Sequence, residues 1–97
     1  MIRHTVMFRW SDTIADDHVA CMAADLDAFV ATLDGVVSYR HGPDAGLNDA
    51  NWDYAITGDF ESVDAYLTYR DHPDHRSFIA TWIADATTDR AAVQYEI

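Results

Sequence analysis

From Ile2 to Trp10 the chain alternates: Ile2, His4, Val6, Phe8 and Trp10 fall on one face and Arg3, Thr5, Met7 and Arg9 on the other, the period of two that a strand imposes. His4 therefore shares a face with the apolar residues. Ser11-Asp12 and Asp16-Asp17 follow as helix-starting caps, and Val19, Met22, Ala23, Leu26, Phe29, Val30 and Leu33 recur at helical spacing until Gly35 stops the run. The spacing predicts an amphipathic helix of about five turns.

Val36 to His41 reads as a second strand, Gly42-Pro43-Asp44, Gly46 and Asn48-Asp49 as a loop of turn formers, and Trp52 to Phe60 as a third strand. Trp52, Tyr54, Ile56 and Gly58 share one face of it, and the glycine leaves room for a close approach. Ser62 caps a second helix that runs to Asp71, with Asp64 nearby. Pro73 lacks an N–H and disfavours helical geometry at His72, so the helix breaks there. It restarts over Asp74 to Ala86, carrying Phe78, Ile79, Trp82 and Ile83 inward. After Thr87-Thr88-Asp89 a last strand runs from Ala91 to Ile97, with Val93, Tyr95 and Ile97 alternating.

The order is β-α-β-β-α-β with a split second helix, the ferredoxin-like α+β plan in which helices cover one face of an antiparallel four-stranded sheet. The opposite face needs a cover of its own or exposure to water. Its first-strand residues, Arg3, Thr5, Met7 and Arg9, are mixed in polarity and suit a sheet-to-sheet homodimer with a partly polar centre.

At 97 residues the chain reads as one domain over residues 1–97, short enough that its own core is only modestly stabilising. With 49% hydrophobic residues, self-association would absorb surplus apolar surface. Six basic residues against seventeen acidic give a formal charge of -11, a field that repels nucleic acid and anionic membrane headgroups. All six bases are Arg and fifteen of the acids are Asp, a bias that a GC-rich genome and a salt-adapted proteome would both produce. No apolar run approaches the roughly 20 residues needed to cross a bilayer, and the N-terminus lacks a signal-peptide stretch, so a cytoplasmic location is expected. Cys21 is a lone thiol that forms no C-x-x-C pair and reads as a small buried hydrophobe.

Titratable groups concentrate in Tyr69-Arg70-Asp71-His72-Pro73-Asp74-His75-Arg76-Ser77-Phe78. A neutral imidazole at His75 can remove a proton from carbon flanked by carbonyls, and Tyr69 can donate to the resulting enolate oxygen. The same residues also read structurally, His75 as a helix cap or loop contact and Tyr69 as a buried phenol with an ordinary partner. His72, directly before the proline, is expected to organise the break. His72 and His75 alone do not complete a metal site, which needs three or four ligands, so neither metal nor other cofactor is expected. His4 reads as a core histidine satisfied by one or two hydrogen bonds, and His18 and His41 as solvent-exposed. A glycine-rich phosphate loop and a G-x-S-x-G elbow are missing, and the Asp-rich first helix reads as a solvated face.

The opening Ile2-Arg3-His4-Thr5-Val6-Met7-Phe8-Arg9-Trp10, the central Gly35-Val36-Val37-Ser38-Tyr39-Arg40-His41-Gly42-Pro43-Asp44 and the Tyr69 to Phe78 run together resemble the stress-responsive dimeric α/β-barrel (Dabb) family. The resemblance implies a ferredoxin-like protomer whose sheet pairs with a second copy to close a dimeric α+β barrel, with a pocket between sheet and helices. The family includes plant stress proteins and a plant polyketide cyclase that closes a ring by an aldol reaction without metal or organic cofactor. On the Tyr-x-x-His-Pro-x-His pattern of that cyclase, the catalytic pair falls on Tyr69 and His75. His4 corresponds to a pocket histidine of the first strand, and Tyr54 stands where a further pocket histidine is expected. Val6, Phe8, Phe29, Tyr54, Phe78 and Trp82 are then the lining residues. The functional expectation is cofactor-independent cyclisation or isomerisation of a small carbonyl-rich or aromatic metabolite. A non-catalytic, stress-related ligand-binding or interaction module and a cofactor-free oxygenase are the alternatives.

Overall fold

The structure, a computed structural model, describes all 97 residues. Strands β1 (Ile2–Trp10), β2 (Val36–Pro43), β3 (Tyr54–Phe60) and β4 (Thr87–Glu96) form one four-stranded sheet in the order β2-β3-β1-β4, antiparallel at every contact. Helix α1 (His18–Val30), helix α2 (Val63–Asp71) and helix α3 (Pro73–Phe78) pack on one face, and a π-helical turn, Ile79–Ile83, follows α3. This is the ferredoxin-like α+β fold. Alternation in β1 and β3 sends Val6, Phe8, Tyr54 and Ile56 under the helices, where Met22, Leu26, Phe78 and Ile83 meet them. A second cluster joins Phe29 and Phe60 to Tyr69. No helix is long and apolar enough to cross a membrane.

Several boundaries depart from the periodicity. The first helix ends at Val30, because residues 31–33 finish in a turn in which the Thr32 hydroxyl donates to the Phe29 carbonyl at 2.7 Å. Gly35 follows at φ +81°, and a Cβ there would lie 2.8 Å from Cβ of Ala65, so the reversal against α2 requires glycine. Strand β2 continues past His41 to Pro43, while β3 begins at Tyr54, leaving Trp52 outside it. Asp53 instead ties the strand start to β1: its N–H donates to the Phe8 carbonyl at 2.8 Å and its carboxylate accepts from the Trp10 N–H at 2.8 Å. Thr87-Thr88-Asp89, read as a connection, already belongs to β4, because it pairs with the end of β1. The last helix is α-helical only to Phe78; the Ala84 N–H then reaches back to the Ile79 carbonyl at 2.9 Å in the wider π register.

Strand β4 is the edge strand with an unexpected orientation. Its register sets Arg90 across from Phe8, Ala92 across from Val6 and Gln94 across from His4, so these face the helices. The apolar alternation Val93, Tyr95 and Ile97 looks the other way, at 56%, 47% and 51% exposure. Met7 adds to that open face, and an Arg3–Asp59 pair joins the start of β1 to the end of β3 across it, Nε to Oδ1 at 2.7 Å and Nη2 to Oδ2 at 2.9 Å.

Candidate active site

Between β1, β4 and the α2–α3 corner lies a cavity of about 220 Å³, lined by His4, Val6, Phe8, Ile56, Tyr66, Tyr69, Arg70, His75, Phe78, Ile79, Arg90, Ala92 and Gln94. The corner is built locally. Ser62, extended at φ -156°, accepts the Ala65 N–H at 3.1 Å and starts α2, which places Tyr66 and Tyr69 one turn apart. His72 is extended at ψ 135° as Pro73 demands, and its Nδ1 accepts the Asp74 N–H at 3.0 Å, capping α3. The chain turns back there, and the His75 ring comes to 4.5 Å from that of Tyr69, centroid to centroid.

The hydrogen bonds assign the tautomers. His75 Nδ1 lies 3.0 Å from the Arg70 carbonyl oxygen. A carbonyl only accepts, so Nδ1 carries the proton and Nε2 keeps the lone pair. Burial lowers the His75 pKa from its ordinary value, and the Arg90 charge lowers it further against the opposing pull of the Arg70 carbonyl and Asp71. His75 is thus neutral near pH 7. On the β4 side of the cavity the amide of Gln94, an exposed residue, donates to Nδ1 of His4 at 2.8 Å, which leaves Nε2 of His4 as its protonated nitrogen. Burial, with the nearby His75, brings the His4 pKa down to about 4. Tyr69 is buried, and its hydroxyl lies 2.7 Å from that of Tyr39 on β2. Burial pushes the Tyr69 phenol up to about 12, so it is a proton donor and not a phenolate. Tyr39 is raised too, by burial and by its neighbour Tyr69.

Of the residues read from the sequence, His75, Tyr69, His4, Val6, Phe8 and Phe78 surround this one cavity. Phe29, Tyr54 and Trp82 do not line it. Phe29 packs behind the corner, its ring 6.0 Å from Tyr69, 5.2 Å from His72 and 6.1 Å from His75. Tyr54 sits toward β2, where its hydroxyl donates to Nδ1 of His41 at 2.6 Å. Trp82, in the π turn, packs half-buried against the main core, and its indole N–H donates to Asp25 on α1 at 2.7 Å.

His41 and His18, expected in solvent, are packed. Only 8% of the His41 side chain is exposed, and its Nε2 donates to Asp27 at 2.6 Å. His18 donates to the Trp82 carbonyl at 2.9 Å between the rings of Trp10 and Trp82. Cys21 is exposed, since it lies on the solvent side of α1. No three His, Cys, Asp or Glu side chains converge as metal ligands. A larger open hollow of about 590 Å³ beside Met7, Trp52 and the 42–55 loop gathers no such polar set, because Asp44 there is satisfied by the Gly46 N–H and the Asn51 amide.

Sequence reasoning missed Tyr39, Tyr66, Arg70, Arg90, Ala92 and Gln94. The available signal was the shared parity of Arg90, Ala92 and Gln94 along the last strand, which says that they face together but not toward which side.

A family model, Stress responsive A/B Barrel Domain, matches residues 2–97. An uncharacterised protein of Streptomyces coelicolor is 31% identical over 91 residues, which cover 90% of this chain and 92% of that protein. A dimeric ferredoxin-like protein of unknown function from Thermobifida fusca superposes with a TM-score of 0.91 at 38% identity, over 99% of this chain and 90% of that one. A hydroxynitrile lyase from Passiflora edulis shares the fold, with a TM-score of 0.85 at 21% identity over 99% of this chain and 92% of its own.

Proposed function

The chain belongs to the stress-responsive A/B barrel family, and from that premise we propose that it is a homodimer whose cavity performs cofactor-independent proton transfer on a small carbonyl-rich or aromatic metabolite, as in polyketide-type cyclisation or isomerisation. The observation that carries the reading is the Nδ1–H bond of His75 to the Arg70 carbonyl, which leaves Nε2 as the lone-pair nitrogen beside the Tyr69 phenol. In the proposed step Nε2 takes a proton from a carbon flanked by carbonyls, and the enolate oxygen accepts a hydrogen bond from Tyr69. The carbanion then adds to a second carbonyl of the same molecule, forming one C–C bond. The new alkoxide recovers the proton from His75, so no net proton or electron is consumed. With Tyr39 donating to the Tyr69 oxygen, the Tyr69 proton is free to point at substrate.

At about 220 Å³ the cavity falls below the roughly 300–1,000 Å³ of drug-sized sites, which favours a compact, single-ring product. The open sheet face, with Met7, Val93 and Tyr95 exposed around the Arg3–Asp59 pair, supports sheet-to-sheet pairing, and the Thermobifida fusca relative is described as dimeric. The fold itself does not select a chemistry, so the residues carry the argument.

The test is cyclisation of synthetic triketide and tetraketide esters, followed by product absorbance above the buffer background. His75→Ala should lose at least about a hundredfold in kcat with KM little changed, the range general-base removal gives. Equal turnover in His75→Ala would remove His75 from the mechanism. A second reading, a ligand-binding module without turnover, draws on the Tyr39–Tyr69 hydroxyl contact, which already partners the phenol. Saturable binding of aromatic ligands with no protein-dependent cyclisation is the outcome that selects it.

A further inference from the structure

We infer that the cavity binds a carboxylate-bearing ligand, with Arg90 as the anion anchor; this rests on the cavity assigned above as the site of proton transfer. The chain carries six arginines in a molecule of formal charge -11. Arg3 is held by Asp59, Arg70 by Asp71, and Arg9 lies over the Trp52 ring at 4.8 Å. Arg90 alone among the arginines both lines the cavity and lacks an ion-pair partner, although seventeen acidic residues are available in the chain.

The register explains its placement. Arg90, Ala92 and Gln94 are the helix-side residues of β4, opposite Phe8, Val6 and His4. Ala92 is small and opens the space between two polar residues whose backbone positions stand about 14 Å apart along the strand, at ~3.4 Å per residue. One end of the cavity thus offers a free guanidinium, and the other an amide already engaged with His4. A planar guanidinium fork matches a carboxylate bidentately, and such a pair orients its ligand as well as attracting it. Arg90 and His75 line the same cavity, so an anion held at Arg90 shares that space with the proposed base.

A monoanion fits better than a phosphate dianion. The second arginine of the wall, Arg70, is occupied by both oxygens of Asp71, at 2.8 and 3.1 Å, and that carboxylate repels a second negative charge. Repulsion by the net charge of the protein acts in the same sense.

Calorimetric titration of the full protein with 2-hydroxybenzoate, its methyl ester and phenyl phosphate tests the assignment. The acid should bind at least about tenfold more tightly than the ester, and Arg90→Gln should erase that preference. Arg90→Lys, which keeps the charge but not the fork, should retain part of it, and Arg76→Gln, an exposed arginine off the cavity, all of it. Circular dichroism of each variant establishes that it is folded. Preference for the acid in His75→Ala supports the anchor even if cyclisation is absent from the wild type, which separates failure of the catalytic reading from failure of this one. Equal binding of acid and ester, no saturable binding of the acid at millimolar concentration, a preference that persists in Arg90→Gln, or tighter binding of phenyl phosphate each overturns the assignment.

Discussion

Replacing Gly58 with alanine would put a methyl group 2.8 Å from Cδ2 and 2.9 Å from Cε2 of Tyr39, and 3.0 Å from Cε2 of Phe60. Gly58 lies on β3 opposite His4 and Tyr39, and its φ is not positive, so the backbone accepts alanine without strain. Stiffening the unfolded chain would by itself stabilise the protein by about 0.4–1 kcal/mol. Overpacking opposes this by about 1–3 kcal/mol. The Tyr39 ring cannot slide away freely, because its hydroxyl is held 2.7 Å from that of Tyr69. The overpacking therefore wins, for a net loss of roughly 1–2 kcal/mol, or a fall of about 4–16 °C in Tm at ~4–8 °C per kcal/mol for a domain of this size. Urea unfolding at fixed protein concentration measures it, since self-association would otherwise shift the midpoint. The decisive arm repeats the substitution in Tyr39→Ala, where the ring carbons at 2.8 and 2.9 Å are gone and only the 3.0 Å approach to Phe60 remains, so Gly58→Ala should cost markedly less than in the wild type. A cost that is the same in both backgrounds, or no cost in the wild type, refutes the idea that Gly58 exists to admit Tyr39.

Two further outcomes follow from the buried histidine and the open sheet face. The folded pKa of His4, about 4, lies below its unfolded value of about 6.5, so the unfolded chain takes up the proton first as pH falls. Its contribution is complete above pH ~6.5 and lost toward pH 4, up to about 3 kcal/mol in the limit, and His75 shifts in the same direction; His4→Gln should flatten unfolding midpoints measured between pH 7 and 4.5, and an unchanged slope would contradict the assignment. Val93→Asp sets a carboxylate in the exposed apolar stripe and should weaken self-association at least about a hundredfold by sedimentation while leaving the circular dichroism intact, whereas an unaltered assembly mass would place the dimer interface elsewhere.

The legible parts of the chain are those in which one period and one neighbour decide the outcome. Alternation in β1 put His4 among the apolar residues, and it is buried there. Proline chemistry located the break at His72, and the Ser62 cap marked the start of α2. Gly58 announced a close approach that proves to be the Tyr39 ring. What escaped were features that depend on the sheet as a whole. The apolar stripe of β4 looks like a core face until pairing with β1 sets Gln94 against His4 and turns Val93 and Tyr95 outward. His41 looks exposed at a strand end until α1 brings Asp27 to one ring nitrogen and β3 brings Tyr54 to the other. The π turn carries no periodic signature, so the helical spacing that brings Trp82 against the core does not tell that its indole N–H reaches Asp25 and that the ring stays out of the cavity.

The two histidines flanking Pro73 divide the work of the corner, and their spacing follows from helix geometry. In an unbroken α-helix the Asp74 N–H would bond the carbonyl four residues back, that of Arg70. Here the His72 side chain accepts the Asp74 N–H instead, and the His72 N–H turns to the Tyr69 carbonyl at 3.4 Å. The Arg70 carbonyl is thereby left without its helical partner, the usual condition of a helix C-terminus. His75 supplies the missing donor through Nδ1, at 3.0 Å. One hydrogen bond thus satisfies the end of α2, closes the turn that brings the ring against Tyr69, and selects the tautomer whose free nitrogen can accept a proton. A histidine at 74 would remain in the cap and one at 76 would point around α3 by another 100° or so, since a helix advances about 3.6 residues per turn. The Tyr-x-x-His-Pro-x-His spacing is therefore readable as a single device, in which the residue before the proline diverts a backbone donor so that the residue two beyond it can use the acceptor left behind.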